Sequence, residues 1–239
     1  MRVLRGGLIA GELDGCTLYN CEVRGGRAVN NTTSGVQAIG GEGLYMAAFA
    51  GYVKNSTIEY CRVTPTRNED GSIAEKGMTD VTNKYDVAIG ALGGNNVYAS
   101  GFVGCMAEGA KVIDCFSTAK CYSYAASYVG VVSVTRAWTG GLAGRILSKS
   151  GNEITRSHFA GDLSSRQYNP IAVIPIIQND VNLGGIGARA NAGDATITDC
   201  YFKPSVSLSG FSQGTAAKKK IYALAGDGTV SGAGFGPWD

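Results

Sequence analysis

GFVGCMAEGAKVIDCFS, residues 101–117, is the stretch that decides the fold. It opens on a glycine-rich turn around one large apolar residue, Phe102, and closes on an apolar residue, a cysteine and a short apolar or small step. Four other stretches repeat that grammar: GGLIAG…TLYNCEV (6–23), AAFAG…TIEYCRV (47–63), GGLAG…ITRSHF (140–159) and GGIGA…ITDCYF (184–202). The last small residues of the turns, Gly11, Gly51, Gly104, Gly144 and Ala188, are separated by 40, 53, 40 and 44 residues. A degraded sixth marker, Gly226 in YALAG, follows 38 residues later, so a last irregular coil is expected near 221–239. A period in this range means one structural unit stacked on copies of itself. Residues 1–239 therefore read as one continuous domain rather than two.

Composition points to strands. Glycine is abundant (36 residues), proline is scarce (5), and 44% of residues are apolar and recur in register. Such a balance suits short strands joined by tight turns, because glycine weakens helix interiors. With a net charge of +2 and 17% charged residues, the chain has no basic stripe of the kind that nucleic acid binding needs, and Lys218, Lys219 and Lys220 read as a solvated face. No apolar run of about 18 residues is present to span a membrane as a helix. The start, MRVLRGG, is too short and too glycine-rich for a signal peptide.

Parity within the copies assigns the faces. Ile9, Phe49, Phe102, Leu142 and Ile186 stand two residues before the markers and are expected to point inward. The small marker column is expected to share that face, large and small alternating. Leu18, Ile58, Val112, Ile154 and Ile197 precede the cysteine position by three residues and also read as core. A parity break follows, marking a bend, after which the cysteine column and Val23, Val63, Ser117, Phe159 and Phe202 continue inward. Asn20, Tyr60, Asp114, Arg156 and Asp199 just before the cysteine position, and Glu22, Arg62, Phe116, His158 and Tyr201 just after it, form a chemically mixed outer wall. Whether the forty-residue period is one wide coil or two narrower ones is left open by the pattern.

Cys21, Cys61, Cys115 and Cys200 share one position, with Ser157 in the fourth copy. Stacked equivalents would lie roughly 4.8 Å apart with side chains pointing the same way, a poor start for a disulfide. They read as a buried ladder of small thiols. Cys16, Cys105 and Cys121 lie outside the column, and a pair among them is left open. Metal-site spacings of cysteine and histidine are missing, so no metal and no cofactor is expected.

GGLAG (140–144) and GFVG…VIDCFSTAKC (101–121) resemble the GLUG motif of bacterial surface proteins, including adhesins. The resemblance, together with the usual strand crossover rule, implies an all-β fold, a right-handed parallel β-helix (β-solenoid) with loop insertions between repeat strands. It also implies secretion or cell-surface display. Segments such as 64–99 and the polar 66–84 are expected to bulge from the coil, NPIAVIPIIQNDV (169–181) to form an edge or cap, and GDGTVSGAGFGPWD (226–239) to end the stack.

The function expected is therefore a non-enzymatic adhesin or stalk-type module that binds a surface glycan or a host or partner protein. Candidate contacts are Tyr60, Tyr122, Tyr124, Tyr128 and Tyr201, whose rings can stack on sugars or anchor an interface. A polysaccharide lyase or depolymerase is the enzymatic alternative. It needs clustered carboxylates, and Asp114 and Asp199 share a column two coils apart with Arg156 between them; counted as three single coils they would lie roughly 14 to 15 Å apart, too far for shared chemistry. His158, the single histidine, has no recurring base or nucleophile in its column and reads as solvent-facing. End-to-end self-association into a filament is a third reading, because an uncovered end coil exposes strand edges.

Overall fold

The computed structural model describes residues 4–29, 43–65, 69–70, 87–93, 96–126, 135–147, 151–168, 179–190, 195–202, 208–213 and 217–222. Among them the chain is all-β, with 26 strands in five parallel sheets and no helix long and apolar enough to cross a membrane. The first coil shows the plan: β1 (Leu4–Gly7), β2 (Ala10–Asp14), β3 (Thr17–Tyr19), β4 (Glu22–Arg24) and β5 (Gly26–Val29) each start a different sheet. We number those sheets one to five. Every later coil visits them in the same order, an arrangement consistent with a β-helix or β-solenoid.

One sequence repeat is one wide coil of five strands. Leu4, Leu44, Val97, Ala137, Val181 and Lys219 are successive Cα partners across sheet one, and they step along the chain at the same intervals as the sequence markers. The sixth strand of that sheet, Ala217–Tyr222, begins a last coil. The expected bulge at 64–99 is narrower than its sequence bounds, since Val87–Gly93 is a strand of sheet five and Val97–Ser100 a strand of sheet one. Most of the polar stretch at 66–84, the apolar NPIAVIPII segment at 169–177, Tyr128 and the tail at 226–239 lie outside the described residues.

The interior is a set of ladders in which each residue packs on its equivalent one coil away. Phe49 and Phe102 stack with ring centroids 4.6 Å apart and lead into Leu142 and Ile186, all fully buried. Ile58, Val112, Ile154 and Ile197 form a second ladder, and Val63, Ser117 and Phe159 a third. Ile9 departs from the expectation: it is 46% exposed. It belongs to the first coil, which among the described residues is covered by a neighbour on one side only.

The bend has a stereochemical cause. Asn20, Tyr60, Asp114, Arg156 and Asp199 all have φ between 46° and 53°, the left-handed region. One such residue swings the chain between sheets three and four and shifts the side-chain alternation by one. The residue after it then plugs the corner. Each thiol or hydroxyl donates to the carbonyl two residues back, Cys61 to Glu59 at 3.2 Å, Cys115 to Ile113 at 3.1 Å, Ser157 to Thr155 at 2.8 Å and Cys200 to Thr198 at 3.3 Å. In return Cys61 Sγ accepts the Cys21 N–H at 3.3 Å, and Ser157 Oγ accepts the Cys115 N–H at 3.0 Å. The column is thus a chain of hydrogen bonds between coils, and serine can stand in for cysteine because both donate and accept. All seven cysteines are free; Cys105 and Cys121 sit in different buried clusters and Cys16 is exposed.

The marker column faces the other way from the expectation. A Cβ at Gly104 would lie 2.5 Å from the Gly51 carbonyl oxygen and 3.0 Å from Tyr45 Cβ, and the Ala188 methyl packs in a second cluster outside the main core. The cluster fills a corner where the outer faces of sheets one and two touch. Tyr45 and Tyr98 stack at 5.1 Å and Tyr98 and Trp138 at 6.0 Å. Arg145 Nη1 donates to the Tyr45 hydroxyl at 2.8 Å while its guanidinium lies 5.7 Å from the Tyr98 ring centroid; Arg189 repeats the contact one coil on, donating to Tyr98 at 2.7 Å and lying 5.0 Å from Trp138. Small markers are required because this corner folds tightly against the strand backbone.

The corner ladder yields a prediction. Ser157→Ala leaves the buried Cys115 N–H without its acceptor, while the Thr155 carbonyl keeps the Asp114 N–H at 3.0 Å, and should cost about 1–3 kcal/mol in equilibrium denaturant unfolding. Ser157→Cys restores the chemistry of the other coils and should stay within about 1 kcal/mol of the parent.

Candidate functional site

The corner between sheets three and four carries two rows of side chains on its outer side. The left-handed residues supply the first row, in coil order Asn20, Tyr60, Asp114, Arg156 and Asp199. The start of each sheet-four strand supplies the second, Glu22, Arg62, Phe116, His158 and Tyr201, which are successive register partners. An open cleft of about 350 Å³ lies between the rows, lined by Asp114, Arg156, Ser157, His158, Asp199 and Tyr201.

Its electrostatics are set by one ion pair. Arg156 Nε and Nη2 donate to the two carboxylate oxygens of Asp114 at 2.8 and 2.7 Å, a fork-on-fork geometry. The hydrogen bonds hold the Asp114 carboxyl below the usual carboxylate range. The Asp199 carboxylate, one coil further on and exposed, has no hydrogen-bond or ion-pair partner among the described residues. Three successive coils thus present negative, positive and negative charge. Asp114 and Asp199 are two coil steps apart, about 9.6 Å at the spacing of paired strands, and not the three steps that would give roughly 14 to 15 Å. The two carboxylates therefore border one cleft, which the sequence count had excluded.

The second row gives the cleft an aromatic side. Phe116 and His158 rings stand 4.2 Å apart, and Tyr201 follows on the next strand, half-buried. His158 is half-buried as well and not simply solvent-facing, and burial pushes its pKa down to about 4. It is therefore neutral near pH 7. At the other end of the wall Tyr60, 50% exposed, packs edge-on against Tyr19 with centroids 5.4 Å apart. The exposed ring of Tyr19 was not singled out from sequence, since its column otherwise holds Glu59, Ile113, Thr155 and Thr198.

Of the candidate contacts, then, Tyr60 and Tyr201 share this wall. Tyr122 and Tyr124 do not: they lie on the outer side of sheet five, with centroids 6.5 Å apart and the Arg166 guanidinium 5.6 Å from the Tyr124 ring. Tyr45, Tyr98 and Trp138 were missed because each copy places them before the glycine turn, outside the recurring phrase. Among the described residues no group of three or more His, Cys, Asp or Glu side chains is placed to hold a metal ion. The chain also contains a GxSxG pattern, GFSQG at 210–214. Ser212 lies within the strand Leu208–Gln213, paired with Gln167, and not at the strand-to-helix elbow that such a serine nucleophile needs.

Acid titration should separate two groups on this wall. The His158 pKa falls from 6.5 to about 4 on folding, so the unfolded chain binds the proton more tightly. Its contribution is full above pH 6.5 and is lost as pH falls toward 4. Glu22 is held at about 2 by Thr64, Arg24 and Arg62, so its contribution fades only below its ordinary 4.5. His158→Phe should flatten the stability curve between pH 6.5 and 4.5 and leave the steeper loss below it, as read by urea unfolding at each pH.

Comparison of the chain with protein-family models, with curated proteins and with solved structures returned no match.

Proposed function

We propose that this chain is a right-handed parallel β-solenoid of the GLUG-repeat kind, displayed or secreted at a cell surface, that binds a glycan along the corner between sheets three and four. Right-handedness follows the general rule for parallel strand crossovers. The observation that carries the binding reading is the open cleft between an aromatic row and a charged row. Sugars are recognised by that combination, ring faces for their apolar C–H surface and fixed polar groups for their hydroxyls. The rigid stacking of coils holds both rows without help from loops, so binding costs little ordering.

Binding without turnover is the reading that Asp114 supports. A glycosidase needs one carboxyl kept protonated to deliver a proton to the leaving oxygen. Asp114 is held ionised by Arg156, and His158 gives up its proton well below neutrality. A depolymerase is the second reading, favoured by one feature: two carboxylates about 9.6 Å apart along one side of a cleft approach the separation used by inverting enzymes.

The test is a glycan array probed with the purified chain, with any hit then assayed for release of reducing or unsaturated sugar ends. Saturable binding without product is the result expected. Tyr201→Ala should weaken it about tenfold, measured well below the variant's own melting midpoint because truncating a half-buried ring also costs stability. Product release moves the assignment to the depolymerase, and retained binding in Tyr201→Ala removes the cleft from the account.

A further inference from the structure

The charges of the cleft say more about the ligand than its rings do. Among the described residues Arg156 is the cation lining it, and its Nε and Nη2 groups hold the Asp114 carboxylate, so those two charges offset each other. His158 adds no positive charge near neutral pH, because burial holds its pKa at about 4. Asp199 remains as an ionisable group at the exposed end, beside the Tyr201 ring and without a side-chain partner among the described residues. Among the described residues the lining carries two carboxylates against one guanidinium, a net negative set.

We infer that the Asp199–Tyr201 end of the cleft is a subsite for a positively charged amino sugar, a hexosamine residue with a free ammonium group. The inference rests on the glycan-binding reading above and narrows it. The Asp199 carboxylate accepts from the ammonium, while Tyr201 stacks on the apolar face of the same ring and attracts the cation through its π-face. Arg156 stays in its pair with Asp114, where it fixes the wall of the subsite and screens the ligand from the second carboxylate. A neutral N-acetylated sugar keeps the stacking and loses the charge contact. A uronate meets the wrong sign.

Calorimetric titration of the full chain with a β-1,4-linked glucosamine hexamer and with its N-acetylated counterpart tests this at neutral pH. The free-amine oligomer is expected to bind at least about tenfold more tightly, an advantage that shrinks as salt is raised. Asp199→Asn should abolish the preference. Asparagine is at home in the left-handed conformation that Asp199 adopts, at φ 52°, so the variant keeps the corner. Equal or tighter binding of the N-acetylated oligomer, or a preference that survives Asp199→Asn, overturns the subsite and leaves the glycan wall standing. If neither oligomer binds and the array is also blank, the wall itself falls and the subsite falls with it.

Discussion

Parallel backbone pairing between residues roughly one coil apart is the constraint on which this structure depends. Each coil satisfies its peptide groups on the coil before and the coil after, so every strand must return to the same place once per turn. Side chains then have no choice but to stack on their own equivalents. A ladder position rewards shapes that pack on copies of themselves, which explains the ringed run of Phe49 and Phe102 and the aliphatic run from Ile58 to Ile197. It also explains why a polar interior position is tolerated where it recurs or finds a partner: Ser123 hydrogen-bonds Thr139 at 2.6 Å and Ser165 at 2.8 Å inside the core.

The corner between sheets three and four shows how the same constraint reaches the surface. A left-handed residue without glycine's freedom costs roughly 1–2 kcal/mol in backbone strain. The chain accepts it in full at Tyr60 and Arg156, and in smaller part at Asn20, Asp114 and Asp199, whose short polar side chains suit that conformation. Two of the corner residues, Asp114 and Arg156, answer with a charge-assisted pair across coils, and the thiol and hydroxyl ladder beneath them supplies further bonds. Because the backbone repeats so faithfully, whatever side chains occupy the corner are displayed at a fixed pitch. The cleft therefore inherits its geometry from the fold and its chemistry from residues that the fold leaves free to vary.

That division sets what was legible in the sequence. The period, the strand content, the cysteine ladder and the inward columns around it were readable, because stacking forces the same residue class into the same register. The parity break before Cys61 or Cys115 even located the bend, though its left-handed conformation has no composition signal at Tyr60 or Arg156. The marker glycines misled because smallness has two causes: a crowded interior and a tight outer corner look alike in one sequence. Five strands per coil could not be counted, since sheet five and sheet one carry no recurring phrase. The cleft was half legible. Its residues were placed in the right columns, and the column order already put Asp114 and Asp199 two copies apart; counting that distance as three single coils is what separated them.

The arginines over the outer aromatic ladder change how such a stack comes apart. Neighbouring coils in a solenoid ordinarily couple only to each other, so an end can peel back one unit at a time. Arg145 does not respect that rule: from the fourth coil it crosses the Tyr98 ring of the third and is fastened to the Tyr45 hydroxyl of the second. Arg189 spans the third to the fifth in the same way. Loosening the second, third or fourth coil strands a guanidinium belonging to another. Fraying that begins at a terminus therefore meets a block of overlapping rivets, and the centre of the rod holds or yields as one piece.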